Sequence, residues 1–245
     1  MTVWQALVQE LQRWPTPPTL WWRDDDAVAP TAALERLLLL TGEHAIPLQL
    51  AVIPAYSEAT LAARLTDTEQ VWILQHGWNH RGYAAAGERK RELGGPRPRD
   101  EILQQLSQGR ELLARQYGPR ALDILVPPWN RIDADLLPAL PGLGYRRLSV
   151  LGPRPREPVG LQQINVHIDI IDWKRRCFAG EEAVVQRLTS HLEARRLGTA
   201  DACEPTGLMT HHLDQDDDCW RFLAELATRL AGRVRWLEGP TLLDS

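Results

Sequence analysis

Apolar residues recur at helical spacing through residues 3–13 (Val3, Trp4, Leu7, Val8, Leu11), and the run stops at Pro15-Thr-Pro-Pro. That pattern predicts a leading helix and a proline-rich connection over residues 1–18. Thr19-Leu-Trp-Trp-Arg then reads as a short buried strand that runs into Asp24-Asp25-Asp26. The alternation continues down the chain. Helices are expected at 30–40, 57–65, 100–117, 133–140, 181–196 and 216–230, and strands at 48–53, 71–74, 122–126, 145–151, 162–170, 207–210 and 234–237. Strands separated by helices imply parallel βαβ units. Seven or eight such strands without a shift in composition fit one α/β domain over residues 1–245, either a (β/α) barrel or an open doubly wound sheet. The stretch 82–99 breaks the rhythm. It is rich in Gly, Pro and Arg and reads as a solvated loop, or as a basic lid over a site that begins just before it.

Composition narrows the class. Hydrophobic residues make up 44% and charged residues 24% of the 245, ordinary values for a globular chain. The net charge is −4, with acids and bases mixed along the sequence, so a nucleic-acid partner has no electrostatic footprint. No run approaches the roughly 20 apolar residues needed to span a bilayer. Gln5, Gln9 and Glu10 interrupt the first helix, so no secretory signal is expected. Cys177, Cys203 and Cys219 form no CxxC pair and suit a reducing compartment. A cytoplasmic protein without membrane association is the expectation. Ten tryptophans stand beside two phenylalanines and four tyrosines, which adds broad apolar faces for core or binding surface.

Parallel α/β folds gather chemistry at the carboxyl ends of their strands. Five predicted strands end in polar or aromatic clusters: Asp24-Asp25-Asp26, His76-Gly-Trp-Asn-His80, Pro127-Pro-Trp129-Asn-Arg131, His167-Ile-Asp169-Ile-Ile-Asp172-Trp173 and Thr210-His211-His212. Each cluster alone has a plain structural reading. Adjacent Asp residues suit turns and helix N-termini, histidines four apart can be surface residues, and His167 alternates with Val166 and Ile168 inside a strand. His44 and His191 read as surface positions. Trp4, Trp14, Trp21, Trp22, Trp72, Trp220 and Trp236 read as core. Together the clusters offer two imidazoles and a carboxylate with open positions, the ligand set of zinc and of non-haem iron. A second carboxylate could act as general base and a histidine as general acid, equipment for metal-assisted hydrolysis of an amide or ester.

The order and spacing of these elements resemble the polysaccharide deacetylase (NodB-homology) family. Arg23-Asp-Asp-Asp-Ala27 resembles that family's Thr-Phe-Asp-Asp-Gly, and His76-Gly-Trp-Asn-His80 its His-x-x-x-His. Pro127-Pro-Trp-Asn130 is similar to Arg-Pro-Pro-Tyr-Gly, Asp169-Ile-Ile-Asp-Trp173 to Asp-x-x-Asp-Trp, and Leu208-Met-Thr-His211 to Leu-x-x-His. The resemblance implies a distorted (β/α)7 barrel and a divalent metal, usually zinc. It places Asp26, His76 and His80 at the metal ligands, Asp25 at the base and His211 at the acid; an acid protonated near neutrality needs a carboxylate partner, for which Asp169 is the candidate. Trp129 falls at the aromatic whose backbone N–H stabilises the oxyanion, and Asp169 and Trp173 fall around the pocket; Trp78, Trp129, Trp173 and Arg131 are the candidates for binding substrate, since aromatic faces suit sugar rings. The implied substrate is an N-acylated carbohydrate or a similar amide.

Three departures bear on this assignment. Asp24 allows the triplet to be read one residue earlier, Ala27 replaces a glycine, and Val126 stands where the family has the arginine that orients the base. Arg23 or Arg131 is expected to fill that gap. Two alternatives remain: a catalytically impaired barrel that binds a glycan, and a non-haem Fe(II) enzyme with the same ligands.

Overall fold

Thr2 and Gln5 form a reciprocal capping box that starts helix α1 (Val3–Gln12). The chain then enters β1 (Thr19–Ala27), which is buried along almost its whole length, as a central parallel strand must be. Thr31 caps α2 (Ala32–Glu43), and β2 (Leu48–Val52), α3 (Ala59–Leu65), β3 (Val71–His76), α4 (Arg99–Tyr117) and β4 (Ala121–Val126) repeat the rhythm. Shorter pieces follow: β5 (Arg147–Leu148), β6 (Gln162–Gln163), β7 (Ile168–Asp169) and a hairpin of β8 (Ile171–Asp172) with β9 (Cys177–Phe178). Helix α5 (Glu181–Leu197), β10 (Thr206–Thr210), α6 (Asp217–Leu230) and β11 (Arg235–Trp236) complete the chain. The computed structural model describes residues 1–244.

The main sheet is parallel throughout, in the order β6-β5-β4-β3-β2-β1-β10-β7, with β11 also pairing β1. It curls into a single-domain distorted barrel. The two ends of the sheet are one continuous stretch of chain. Ile164 and Val166 donate to Leu148 and Val150 on the β5 side, and His167 then donates to Gly207 within β10. The single strand expected over 162–170 is therefore two short ones that change partner near His167 and bring the sheet edges together.

The expected helix at 133–140 is absent. Pro138 and Pro141 remove amide donors, and only 3-10 turns form, at Leu137–Ala139 and Pro141–Leu143. His44 and His191 are half-buried rather than surface residues. His191 stacks on His167 with ring centroids 3.9 Å apart and hydrogen-bonds the Thr206 hydroxyl at 3.0 Å. Of the tryptophans read as core, Trp4, Trp21, Trp22 and Trp220 are buried, whereas Trp14, Trp72 and Trp236 are half-buried. The three cysteines are free. No helix among the described residues is long and apolar enough to cross a membrane.

Candidate metal centre and catalytic cleft

A cleft of about 470 Å³ opens at the carboxyl edge of the sheet. It collects Asp25 and Asp26 from β1, His76 from the end of β3, His80, Trp129 and Arg131 from the loops after β3 and β4, Asp169 and Trp173 from the β7–β9 region, and His211 after β10. Residues that alternate along an ideal strand cannot both face one pocket. The register of β1 against β2 shifts between Asp24 and Ala27, and Asp26 takes a left-handed conformation with φ of 72°. This bulge turns Asp26 to the same side as Asp25. His80, Trp129, Asn130 and Arg176 also have positive φ, so five of the six non-glycine residues in that conformation among the described residues border the cleft. Strained backbone of this kind persists where the surrounding structure fixes it and often marks a functional site.

The bulge also settles where Asp24 lies. Its carboxylate points to the opposite face, where it is fully buried and accepts from the Thr210 hydroxyl (2.6 Å) and the His212 amide (3.0 Å). The His212 ring contacts its other oxygen at 2.5 Å. Asp24 and His212 thus form a buried pair behind the cleft, and Asp25 is the acid that faces it.

Asp25 is held by Arg23. The guanidinium meets Asp25 Oδ2 through Nη2 at 2.9 Å and Oδ1 through Nε at 2.8 Å, the second contact bent away from hydrogen-bond linearity. Nη1 donates to the Ser149 hydroxyl (2.8 Å), and Nη2 also donates to the Asn130 side-chain Oδ1 (2.7 Å). Arg23 is fully buried, so this pair works in a low-dielectric setting. Val126, at the position of the missing arginine, lies in the core, and its carbonyl accepts from Gly77. Of the two arginines expected near that gap, Arg23 fills it. Arg131 instead donates to the Lys90 carbonyl on the rim (2.9 Å).

Asp26, His76 and His80 converge, with one donor atom from each lying within 4.8 Å of the others. His76 Nε2 and His80 Nε2 lie 3.1 and 3.3 Å from Asp26 Oδ1. A tetrahedral zinc ion with bonds of about 2.0–2.1 Å needs donors spaced by roughly 3.3 Å. The ring orientation agrees. His76 Nδ1 is 3.0 Å from the Val126 carbonyl, which takes its N–H and leaves the Nε2 lone pair facing the Asp26 oxygen. Two lone pairs at that distance require a cation or a proton between them, so the donor set fits a divalent metal.

The charges follow the same logic. Burial disfavours ionised Asp26, but His76, His80 and His211 outweigh it and hold the carboxyl well below its usual range. Burial, together with the neighbouring His76, lowers His80 to about 4, which leaves its ring neutral and available as a ligand near neutral pH. For His76 burial also opposes the charge, yet Asp26 and Asp25 prevail and raise its pKa.

Glu92 is a member of this site that sequence reasoning missed. It is fully buried, and its Oε1 accepts the amides of Trp78 (2.6 Å) and Asn79 (3.1 Å), fixing the loop that delivers His80. Burial raises its carboxyl pKa despite those donors. Gly77 is required at the start of the loop: its φ is 56°, and a Cβ there would lie 2.6 Å from Pro128 Cδ and 2.8 Å from Glu92 Oε2. The stretch expected as a loop or lid is thus anchored inside by Glu92 and Leu93, while Lys90 lines the cleft.

Two expectations need correction. Trp78 does not line the cleft; its backbone serves as an anchor between Glu92 and Ala55, whose amide it accepts. Asp169 does line it, but its oxygens take the Ile171 amide (3.0 Å) and the Trp173 indole N–H (2.7 Å), and no hydrogen bond joins it to His211. His211 instead sits edge-on to Trp173, with centroids 4.6 Å apart, and its Nε2 is 3.9 Å from Asp25 Oδ2. Trp129 packs against the His80 ring at 4.4 Å.

The architecture is that of the CE4 polysaccharide deacetylases. The family 4 carbohydrate esterase from Streptomyces lividans, solved in complex with acetate, superposes with a TM-score of 0.57 at 16% identity over 88% of this chain and 89% of its own. The peptidoglycan N-acetylglucosamine deacetylase Bc1960 gives 0.60 at 14% over 93% and 88%. A CE4 family pseudoenzyme from Bacillus anthracis gives 0.61 at 14% over 94% and 67%. No family model and no curated protein sequence matches the chain.

Proposed function

We propose that the protein is a metal-dependent deacylase of the polysaccharide deacetylase family, releasing an acetyl or related acyl group from an N-acylated carbohydrate. The observation that carries this reading is the convergence of Asp26, His76 and His80 beside an Arg23-held Asp25, with His211 on the same cleft.

Asp26, His76 and His80 would hold the ion, for which zinc suits the donor set. When bound, such an ion supplies Lewis acidity that makes a water molecule more acidic and polarises an acyl oxygen. Asp25 then acts as general base. Its contacts with Arg23 keep the carboxylate in place while it accepts the proton of the attacking water at an oxygen facing the cleft. His211 acts as general acid and donates a proton to the leaving nitrogen, without which an amine is a very poor leaving group. Trp173, edge-on to His211, limits the orientation of that ring, and Asp169 holds Trp173. The Trp129 turn offers a backbone N–H to the developing oxyanion, and the Trp129 and Trp173 rings offer apolar faces to a sugar. The Arg23–Asp25 pair supports a working hydrolase over a barrel that only binds glycans.

The test is acetate release from N-acetylated sugars by zinc-loaded protein. Asp25→Asn is expected to keep the metal and lose about 10²–10⁴ in rate. Equal rates for wild type and Asp25→Asn, or no acetate from any N-acetylated sugar, would overturn the proposal.

A further inference from the structure

Most charges that line the cleft are matched. Arg23 neutralises Asp25, Asp214 pairs with Arg176 at 2.8 Å, and a divalent ion would more than neutralise Asp26. Asp169 is held by the Ile171 amide and the Trp173 indole. Lys90 and Arg131 are the exceptions. Both line the cleft, and neither makes a salt bridge to a carboxylate among the described residues. The Lys90 ammonium lies 5.7 Å from the Trp129 ring centroid, and among the described residues the only polar contact of the Arg131 guanidinium is Nη1 on the Lys90 carbonyl. Its remaining donors have no partner among the described residues. The nearby arginines add to the same sign: Arg89 is exposed, while Arg91 is paired with Asp133.

The position of Arg131 adds a second observation. A neighbouring depression of about 410 Å³, bordered by Leu148, Val150 and Gln163, shares Asn130 and Arg131 with the cleft. Arg131 therefore borders both hollows. A substrate that placed its acyl group beside Asp25 and extended past Trp129 would carry its next substituent over Lys90 and Arg131. On a chain whose net charge is −4, two unmatched cations at that point are a local reversal of sign.

We propose that Lys90 and Arg131 form an anion-recognition site, so that the cleft selects acylated sugars bearing a carboxylate or phosphate beyond the reacting amide. This inference rests on the deacylase reading for the identity of the acyl-bearing ligand. An arginine with free donors suits either oxyanion, and the lysine adds a second positive charge beside the aromatic face.

The test compares N-acetylglucosamine with N-acetylglucosamine 6-phosphate and N-acetylmuramic acid, using binding by calorimetry to zinc-loaded protein and acetate release as separate readouts. At low salt at least one anionic sugar is expected to bind about tenfold tighter than the neutral one, and which one distinguishes phosphate from carboxylate recognition. The preference is expected to shrink towards unity in ~0.5 M salt, because exposed charges are screened. The Lys90→Glu/Arg131→Glu double variant is expected to lose or reverse it at unchanged zinc content, which separates the rim from direct coordination of the anion by the ion. Equal binding of the three sugars, or a preference that survives charge reversal, would overturn the inference. The two proposals fail separately: hydrolysis of all three sugars at equal rates with equal binding retains the deacylase and removes the anion site, whereas tighter anionic binding with no acetate release does the reverse.

Discussion

Replacing Arg23 by Met keeps most of the side chain's volume and removes its charge, leaving the Asp25 carboxylate, only 1% exposed, without its ion-pair partner. Breaking a buried pair from one side typically costs about 3–5 kcal/mol, because the remaining charge stays desolvated. Arg23 also donates to Ser149 and Asn130, so the single variant loses those contacts too. A double-mutant cycle isolates the pair. Asp25→Asn removes the charge that Arg23 serves, and Arg23→Met/Asp25→Asn removes both. The two side chains touch through two short contacts almost fully shielded from solvent, so the coupling is expected at about 2–3 kcal/mol, well above the 0.2–1 kcal/mol of an exposed pair. The assay is urea unfolding of the four proteins, read from the midpoint at constant slope. In thermal terms Arg23→Met should lower Tm by roughly 6–20 °C for a chain of this size. A coupling below about 0.5 kcal/mol would refute the claim that Arg23 replaces the arginine missing at Val126.

Two further outcomes follow from the same geometry. Glu92→Ala releases the amides of Trp78 and Asn79, so zinc affinity should fall about 10–100-fold although Glu92 is not a ligand; unchanged affinity in a competition titration would show that the His80 loop holds itself. Burial, together with the neighbouring His167 and Arg195, depresses His191 to about 3, below the ordinary histidine value of 6.5. The unfolded chain therefore binds the extra proton between those values, and the stability contribution present in full above pH 6.5 is lost as pH falls towards 3. His191→Gln should flatten the pH dependence of Tm in that window, and an identical slope in the variant would contradict the assignment.

The alternation of strands and helices was legible because parallel strands buried on both faces are written as apolar runs and the outer helices as stripes. The clusters at strand ends were legible for the same reason, since a run of Asp or His immediately after apolar residues stands out. The bulge in β1 was not. Period-two alternation puts Asp25 and Asp26 on opposite faces, and only the left-handed turn at Asp26 brings both to the cleft. Glu92 was hidden by its neighbours: within Glu-Arg-Lys-Arg-Glu it looks like part of a solvated charge run, and its burial depends on the Gly77 turn and Pro128 closing over it. Arg23 follows an apolar run in β1, and its inward direction depends on Asp25 together with Ser149 and Asn130, which lie more than 100 residues away in sequence. Asp169 was assigned to His211 because a protonated imidazole calls for a carboxylate neighbour, whereas the hydrogen bonds of its two oxygens go to the Ile171 amide and the Trp173 indole.

Calorimetric titration of chelator-stripped protein with zinc tests the metal centre most directly. One equivalent should bind, His80→Ala should abolish or strongly weaken that binding, and Asp25→Asn should retain it, because Asp25 stands beside the site without being one of its three ligands. No saturable binding, or an isotherm that His80→Ala leaves unchanged, would contradict the assignment of Asp26, His76 and His80 as a metal centre.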